Sequence, residues 1–207
     1  VRITGGRLRG RTVKVPDVRG VRPTAGRVRE ALFSMLGQDL TGWSMLDAFG
    51  GSGLMAFEAA SRGASPVVVC ERNRKVLTAL QRSADALGVA LELRGGDARA
   101  ALRGGTWDLV FLDPPYADDP AAWVRAAAPA VRQVLVIEHR SGKAVPTECG
   151  ALERVRQRRY GDSTLSLFRV RAGAGVEEGQ EVAEDVRVVE DDGQAVDGGG
   201  GGGEHAA

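Results

Sequence analysis

Trp43-Ser44-Met45-Leu46-Asp47 runs without a break into Ala48-Phe49-Gly50-Gly51-Ser52-Gly53-Leu54-Met55-Ala56. An apolar run ends on a carboxylate, and a glycine-rich turn with the spacing G-x-G-x-x-A (Gly51, Gly53, Ala56) leads into a helix that extends to about residue 61. Glycines at a strand-to-helix turn allow a tight reversal and close approach of the backbone to a ligand. The helix that follows begins with N–H groups that have no partner inside it. The strand before and the helix after give this short pattern its meaning.

The alternation continues downstream. PVVVCE (66–71) precedes a helical stretch at about 73–87, ALEL (90–93) a short helix near 98–103, and WDLVFLD (107–113) a helix near 120–128, before QVLVIEH (133–139). Repeated strand–helix units with near-continuous apolar strands predict a parallel sheet with helices on both faces. LERVRQRRYGDSTLSLFRV has no intervening helix and predicts an antiparallel hairpin at about 152–160 and 163–170 on the sheet edge. The expectation is a seven-stranded, mostly parallel, Rossmann-like α/β sheet.

Acids close three consecutive strands. Glu71 follows Gly53 by eighteen residues, where a carboxylate can accept both ribose hydroxyls of an adenosine cofactor. Asp47, just before the glycine loop, would repel a pyrophosphate and suits a cofactor with a cationic amino-acid end. Asp97, in GGDARA, is placed to accept from an adenine amino group and also has the position of a helix N-cap. Together they point to S-adenosylmethionine rather than NAD. Candidate cofactor contacts are Asp47, Phe49, Gly51, Ser52, Gly53, Glu71, Arg72, Asp97, Ala98 and Asp113; no metal is implied.

The fourth strand ends in Phe111-Leu112-Asp113-Pro114-Pro115-Tyr116. The expected strand order sets it beside the first, facing the cofactor at the switch point of the sheet. Proline fixes φ and restricts the residue before it, so Pro114 and Pro115 stiffen an extended tip. Asp113 and the Pro114 carbonyl then present two acceptors, and Tyr116 a flat face. An exocyclic amine on a nucleobase is complementary, with two N–H donors and a ring that stacks. Accepting both hydrogens draws the nitrogen lone pair out of the ring and aims it at a methyl donor. Asp113, Pro114, Pro115 and Tyr116 are the candidate catalytic residues.

The two ends of the chain have opposite electrostatic character, hidden under a net charge of +1. Residues 1–29 hold nine Arg or Lys against Asp17, and residues 172–207 hold ten Asp or Glu against Arg187. A basic arm favours polyanions through counterion release. RITGGRLRGRTVKVP reads as an arginine-bearing β-hairpin. Pro23-Thr24 opens a helix with Thr24 as N-cap and an apolar stripe at Val28, Ala31, Leu32, Met35 and Leu36, which leaves Arg22, Arg27 and Arg29 to face a ligand. The acidic, glycine-rich tail cannot bury enough apolar surface to offset its ordering entropy, which predicts disorder from about residue 172. The organisation expected is a basic extension over 1–38, a catalytic domain over 39–171 and a tail over 172–207. Two cysteines make neither a disulfide framework nor a zinc site, and no apolar stretch is long enough to span a bilayer. A cytoplasmic monomer is the expectation.

These motifs resemble the RsmD-type bacterial methyltransferases, which modify a guanine N2 of small-subunit ribosomal RNA. The resemblance covers about residues 1–170 and rests on RITGGRLRGR, RPTAGRVREALFSML, DAFGGSGLMAFEAASRGA, the acid of CERNRK and LDPPY. It implies a class I S-adenosylmethionine-dependent fold, guanine 966 of 16S rRNA as substrate, and a small-subunit ribosomal particle as partner. It also implies RNA contact by the basic arm, with Arg7, Arg9, Arg11, Arg22, Thr24, Arg27 and Arg29 as candidates. The chain departs from the family pattern at Ala25-Gly26, Ala56 and Phe57. Three other readings share parts of this pattern. A DNA adenine-N6 methyltransferase also carries DPPY but usually needs an inserted recognition domain; protein glutamine methylation normally has Asn in place of Asp113; and an assembly factor could bind RNA without catalysis.

Overall fold

The computed structural model describes residues 1–15, 18 and 26–173. After α1 (Gly26–Leu36), strands and helices alternate: β1 (Met45–Asp47), α2 (Leu54–Ser61), β2 (Val67–Glu71), α3 (Arg74–Leu87), β3 (Glu92–Gly95), α4 (Ala98–Arg103), β4 (Trp107–Leu112), α5 (Pro120–Ala127) and β5 (Val131–Arg140). Three antiparallel strands follow, β6 (Glu148–Cys149), β7 (Leu152–Tyr160) and β8 (Ser163–Val170). They form one sheet in the order β3-β2-β1-β4-β5-β8-β7-β6, parallel from β3 to β5.

The sheet has eight strands among the described residues, not seven. The additional one, β6, is only two residues long and pairs Glu148 with Glu153 and Cys149 with Leu152. So short a strand carries no alternation to read. The N-terminal hairpin is also slighter than expected: its ladder reduces to one antiparallel bridge, Arg2 with Thr12, flanked by hydrogen bonds such as Ile3 N–H to the Arg11 carbonyl at 2.9 Å.

Side chains on the strands alternate between two cores. Met45, Val67, Val69, Leu109 and Phe111 face the N-terminal segment, α1, α2 and α3; Leu46, Val68, Cys70, Val110 and Leu112 face α4 and α5. Central strands buried on both faces have this near-continuous apolar character. Ile3, Leu8 and Val13 belong to the first core, so the N-terminal segment packs on the body through an apolar underside while Arg7, Arg9 and Arg11 remain exposed.

That docking explains an otherwise odd helix, for all eight residues of α2 are buried, Glu58 included. Thr4 N–H donates to Glu58 Oε1 at 2.7 Å, Leu8 N–H to Ser61 Oγ at 2.9 Å, and the Ser61 hydroxyl to the Gly5 carbonyl at 2.6 Å. Gly6 has φ +73°, and a Cβ there would stand 2.0 Å from the Ser61 carbonyl oxygen. The Gly5-Gly6 pair is therefore what lets the segment lie flat on α2.

Arg29 does not face a ligand. It is 1% exposed, its Nε donates to Glu58 Oε1 at 3.2 Å, and a second nitrogen donates to the Arg2 carbonyl at 2.9 Å. The buried face of α1 is Val28, Arg29, Leu32, Phe33 and Leu36. It is rotated from the stripe expected, because a buried carboxylate on α2 gives a guanidinium somewhere favourable to point. Glu58 also pairs with Arg62, whose guanidinium lies 4.2 Å from the Phe33 ring centroid.

Candidate active site

A cleft of about 1310 Å³ opens beyond the carboxyl ends of β1, β2, β4 and β5. The strand order reverses between β1 and β4, the place where open α/β sheets bind ligands. Asp47, Glu71, Asp113 and Glu138 follow or continue Met45, Val69, Phe111 and Val136 at two-residue spacing, so all four carboxylates project on the α1 side of the sheet.

Asp47 is the deepest, 2% exposed, with Oδ1 accepting the Phe49 N–H at 3.2 Å. Burial pushes its pKa up to about 8; the Phe49 hydrogen bond opposes the shift, and the charges of Asp113 and Glu71 add to it. Glu71 staples the glycine loop to β2, accepting Gly51 N–H at 3.0 Å and Asn73 N–H at 2.7 Å. The loop backbone runs too close to β2 for side chains: a Cβ on Gly50 would meet Val69 Cγ1 at 2.7 Å. Packing also demands glycine at position 53, where φ is +71° and a Cβ would stand 2.4 Å from Leu80 Cδ2.

Phe49, Gly51, Glu71, Arg72 and Ala98 line the main cleft, while Asp47 and Ser52 border a small recess that also touches Phe49, Gly51 and Asp113. Asp97 does not line the cleft. It caps α4 by accepting Arg99 N–H at 2.8 Å and pairs with Arg72; that hydrogen bond, before all else, holds its pKa below the usual value. Its neighbours Gly96 and Ala98 form the wall instead. Trp123 closes the side, edge-on to Phe49 with centroids 4.9 Å apart.

Asp113, Pro114, Pro115 and Tyr116 all line the cleft. Burial first, and the Glu138 charge with it, push the Asp113 pKa up to about 7. The Tyr116 ring is 40% exposed and its hydroxyl hydrogen-bonds the Ser163 hydroxyl, which ties the stiff tip to the β7–β8 turn. Of the basic candidates, Arg27 is exposed on the cleft, and Arg7 reaches the Gly88 carbonyl at 3.4 Å. Arg22 and Thr24 lie outside the described residues, as does the acidic tail beyond residue 173.

Among the lining residues that the sequence does not single out are Cys70, Tyr160, Ser163 and Glu138. Glu138 carried a signal, a carboxylate at the end of the apolar run VLVIEH, the same signature as Asp47, Glu71 and Asp113. His139 beside it is a structural residue, buried with its ring nitrogens at 3.1 Å from the Arg140 carbonyl and 2.9 Å from Ser166 Oγ.

The residues present suit an adenosine cofactor with a cationic end. A buried carboxylate lies deep, glycine backbone lies close, and Phe49 and Ala98 supply apolar walls. Among the described residues there is no group of three acids, histidines or cysteines able to hold a metal, and no helix is long and apolar enough to cross a membrane.

Sheet order, glycine turn and cleft define a class I S-adenosylmethionine-dependent methyltransferase fold. A Thermus thermophilus 16S rRNA N2 G1207 methyltransferase (RsmC), in complex with AdoMet and guanosine, shares it with a TM-score of 0.61 at 24% identity over 83% of this chain and 49% of that one. Residues 1–169 match the family described as Conserved hypothetical protein 95. The chain belongs to that family, the RsmD family of the sequence resemblance. The Escherichia coli protein yhhF superposes with a TM-score of 0.74 at 29% identity, covering 83% of this chain and 98% of that one. Ribosomal RNA small subunit methyltransferase D of Escherichia coli K12 is 38% identical over 125 residues, 56% of this chain and 60% of that protein. The chain thus matches less than two thirds of that relative's length.

Proposed function

We propose that this protein transfers a methyl group from S-adenosylmethionine to the exocyclic N2 of a guanine in 16S rRNA, guanine 966 by family likeness, within a small-subunit particle in the cytoplasm. The observation that carries the reading is the Asp113–Tyr116 tip lining the cleft, with Asp113 also bordering the recess that buried Asp47 lines. The 38% identity to a ribosomal RNA methyltransferase supports the choice of RNA.

The cofactor supplies an electrophilic methyl next to a sulfonium; the rest is the work of the chain. Asp47 neutralises the cofactor's ammonium, and Glu71 takes the ribose hydroxyls on lone pairs not used by Gly51 and Asn73. Asp113 and the Pro114 carbonyl accept the two amine hydrogens, which localises the nitrogen lone pair. The Tyr116 ring stacks on the base, worth about 1 to 3 kcal/mol. As the N–C bond forms and the methyl–sulfur bond breaks, leaving a neutral thioether, the proton lost from nitrogen would pass to an Asp113 carboxylate oxygen, whose affinity for protons burial has raised. A base within a helix must first be flipped out.

Mass spectrometry of rRNA from cells lacking the gene tests the proposal. Loss of one N2-methylguanosine supports it; intact rRNA methylation with lost DNA methyladenine would sink it.

Two further outcomes are expected. With its pKa at about 8, the Asp47 carboxyl holds a proton at pH 7 in the free protein. A bound ammonium favours the carboxylate and lowers that pKa. Binding of S-adenosylmethionine at pH 7 should therefore release close to one proton, and affinity should rise with pH and level off above about 8. Calorimetry in buffers of different ionisation enthalpy reads the release. Methylthioadenosine, which has no ammonium, should show none, and Asp47→Asn should abolish it.

The second concerns the arm. Replacing Arg7, Arg9 and Arg11 together should weaken RNA binding and flatten its salt dependence by about 2 to 3 units of slope. An unchanged slope would make these arginines a solvated face.

A further inference from the structure

Asp113 is not the only carboxyl at the amine site. Leu112 of β4 and Ile137 of β5 are the last paired rung of two parallel strands, so Asp113 and Glu138 stand level at the next position, on the same face of the sheet. Both line the cleft, and the charge of Glu138 acts directly on Asp113. Glu138 Oε2 is buried and has no hydrogen-bond partner. Burial raises the Glu138 pKa, and the Ser163 hydroxyl, which also holds the Tyr116 hydroxyl, opposes that shift. An acceptor oxygen withdrawn from water without a donor is costly. At the wall of a ligand cleft, it is an acceptor waiting for a donor from the ligand.

We infer that Glu138 selects the base, accepting the ring N1–H of a guanine whose N2 amine is held by Asp113. This rests on the amine-methylation reading above and deepens it. Guanine presents three donors in a row along one edge, the two amine hydrogens and N1–H. Two adjacent carboxyls and the Pro114 carbonyl match that row. Adenine and cytosine place a bare ring-nitrogen lone pair beside their amine, and that lone pair would face the Glu138 oxygen. The Asp113–Tyr116 tip thus recognises an amine, and Glu138 the neighbour of the amine.

The test uses small subunits reconstituted with 16S rRNA that carries either guanine or 2-aminopurine at the mapped acceptor position. 2-Aminopurine keeps the N2 amine but has a lone pair at N1. With the wild-type protein, kcat/KM should fall about ten- to hundredfold on 2-aminopurine, the usual worth of one specific base contact. Glu138→Gln offers an amide N–H to that lone pair, so the guanine preference should shrink to within about threefold. The loss of O6 in 2-aminopurine affects both proteins alike and cancels in the ratio of ratios. Calorimetric binding of S-adenosylmethionine by Glu138→Gln, unchanged from wild type, reports that the fold is intact. The affinities of the S-adenosylhomocysteine complexes for the same particles give a second readout. Equal wild-type rates on the two bases, or the same preference in wild type and Glu138→Gln, would overturn the role of Glu138 while leaving amine methylation standing. Absence of any transfer to guanine by the wild-type protein would overturn both. Should Glu138→Gln fail to fold, Glu138→Ala supplies the second side of the same ratio, and it too should lose most of the guanine preference.

Discussion

Replacing Asp113 by alanine should cut single-turnover methyl transfer by at least about a hundredfold, the scale on which removal of one preorganised electrostatic group acts. Two functions go at once: the amine loses an acceptor that strengthens as its lone pair localises, and the departing proton loses its base. Cofactor binding should survive, because Asp113 borders the recess beside Asp47 without forming the glycine loop. Turnover within tenfold of wild type would remove Asp113 from the mechanism. Stability gives an independent signature. The folded-state pKa is raised from 3.8 to about 7, so between those values the folded protein holds a proton that the unfolded chain has lost. Its contribution to stability therefore declines as pH rises through that window and levels off above about 7. Asp113→Ala should flatten this part of the pH–stability curve.

The second large effect is on folding. Glu58 is fully buried between Arg29 and Arg62, which are 1% and 5% exposed. Glu58→Gln removes the carboxylate that pairs with both guanidiniums while their charges stay buried. Breaking a buried ion pair from one side costs about 3 to 5 kcal/mol, and urea unfolding should show a loss on that scale. Glu58 also accepts the Thr4 N–H, so the N-terminal segment should become more accessible to limited proteolysis in the variant. Arg29→Ala should likewise lower the urea midpoint but leave the salt slope of RNA binding unchanged, because its guanidinium is spent inside the fold.

Arg29 shows where sequence reading reaches its limit. On a helical wheel Val28, Ala31, Leu32, Met35 and Leu36 make a respectable stripe, and a charged residue beside it is ordinarily solvated. What turns α1 is a carboxylate 29 positions away on α2, in a helix whose own sequence, LMAFEAAS, does not say that the N-terminal segment will cover it. Pairing across that distance has no periodic signature. The same holds for Asp97, whose N-cap role is local and legible, whereas its pairing with Arg72 along the cleft rim is not. The strand β6 was missed for another reason: two residues are too few to alternate.

The sequence by itself determined the alternation of strands and helices, the glycine turn at Gly50–Gly53 and the stiff tip at Asp113–Tyr116. Each depends on the conformational limits of neighbouring residues or on the two-residue period of a strand, and both are written in local order. Only the tertiary structure decided which of the candidate arginines are exposed, Arg7, Arg9, Arg11 and Arg27 but not Arg29, and which carboxyl stands beside Asp113. Burial and register between β4 and β5 join residues far apart in the chain. A charge gains its meaning there from what the fold brings against it.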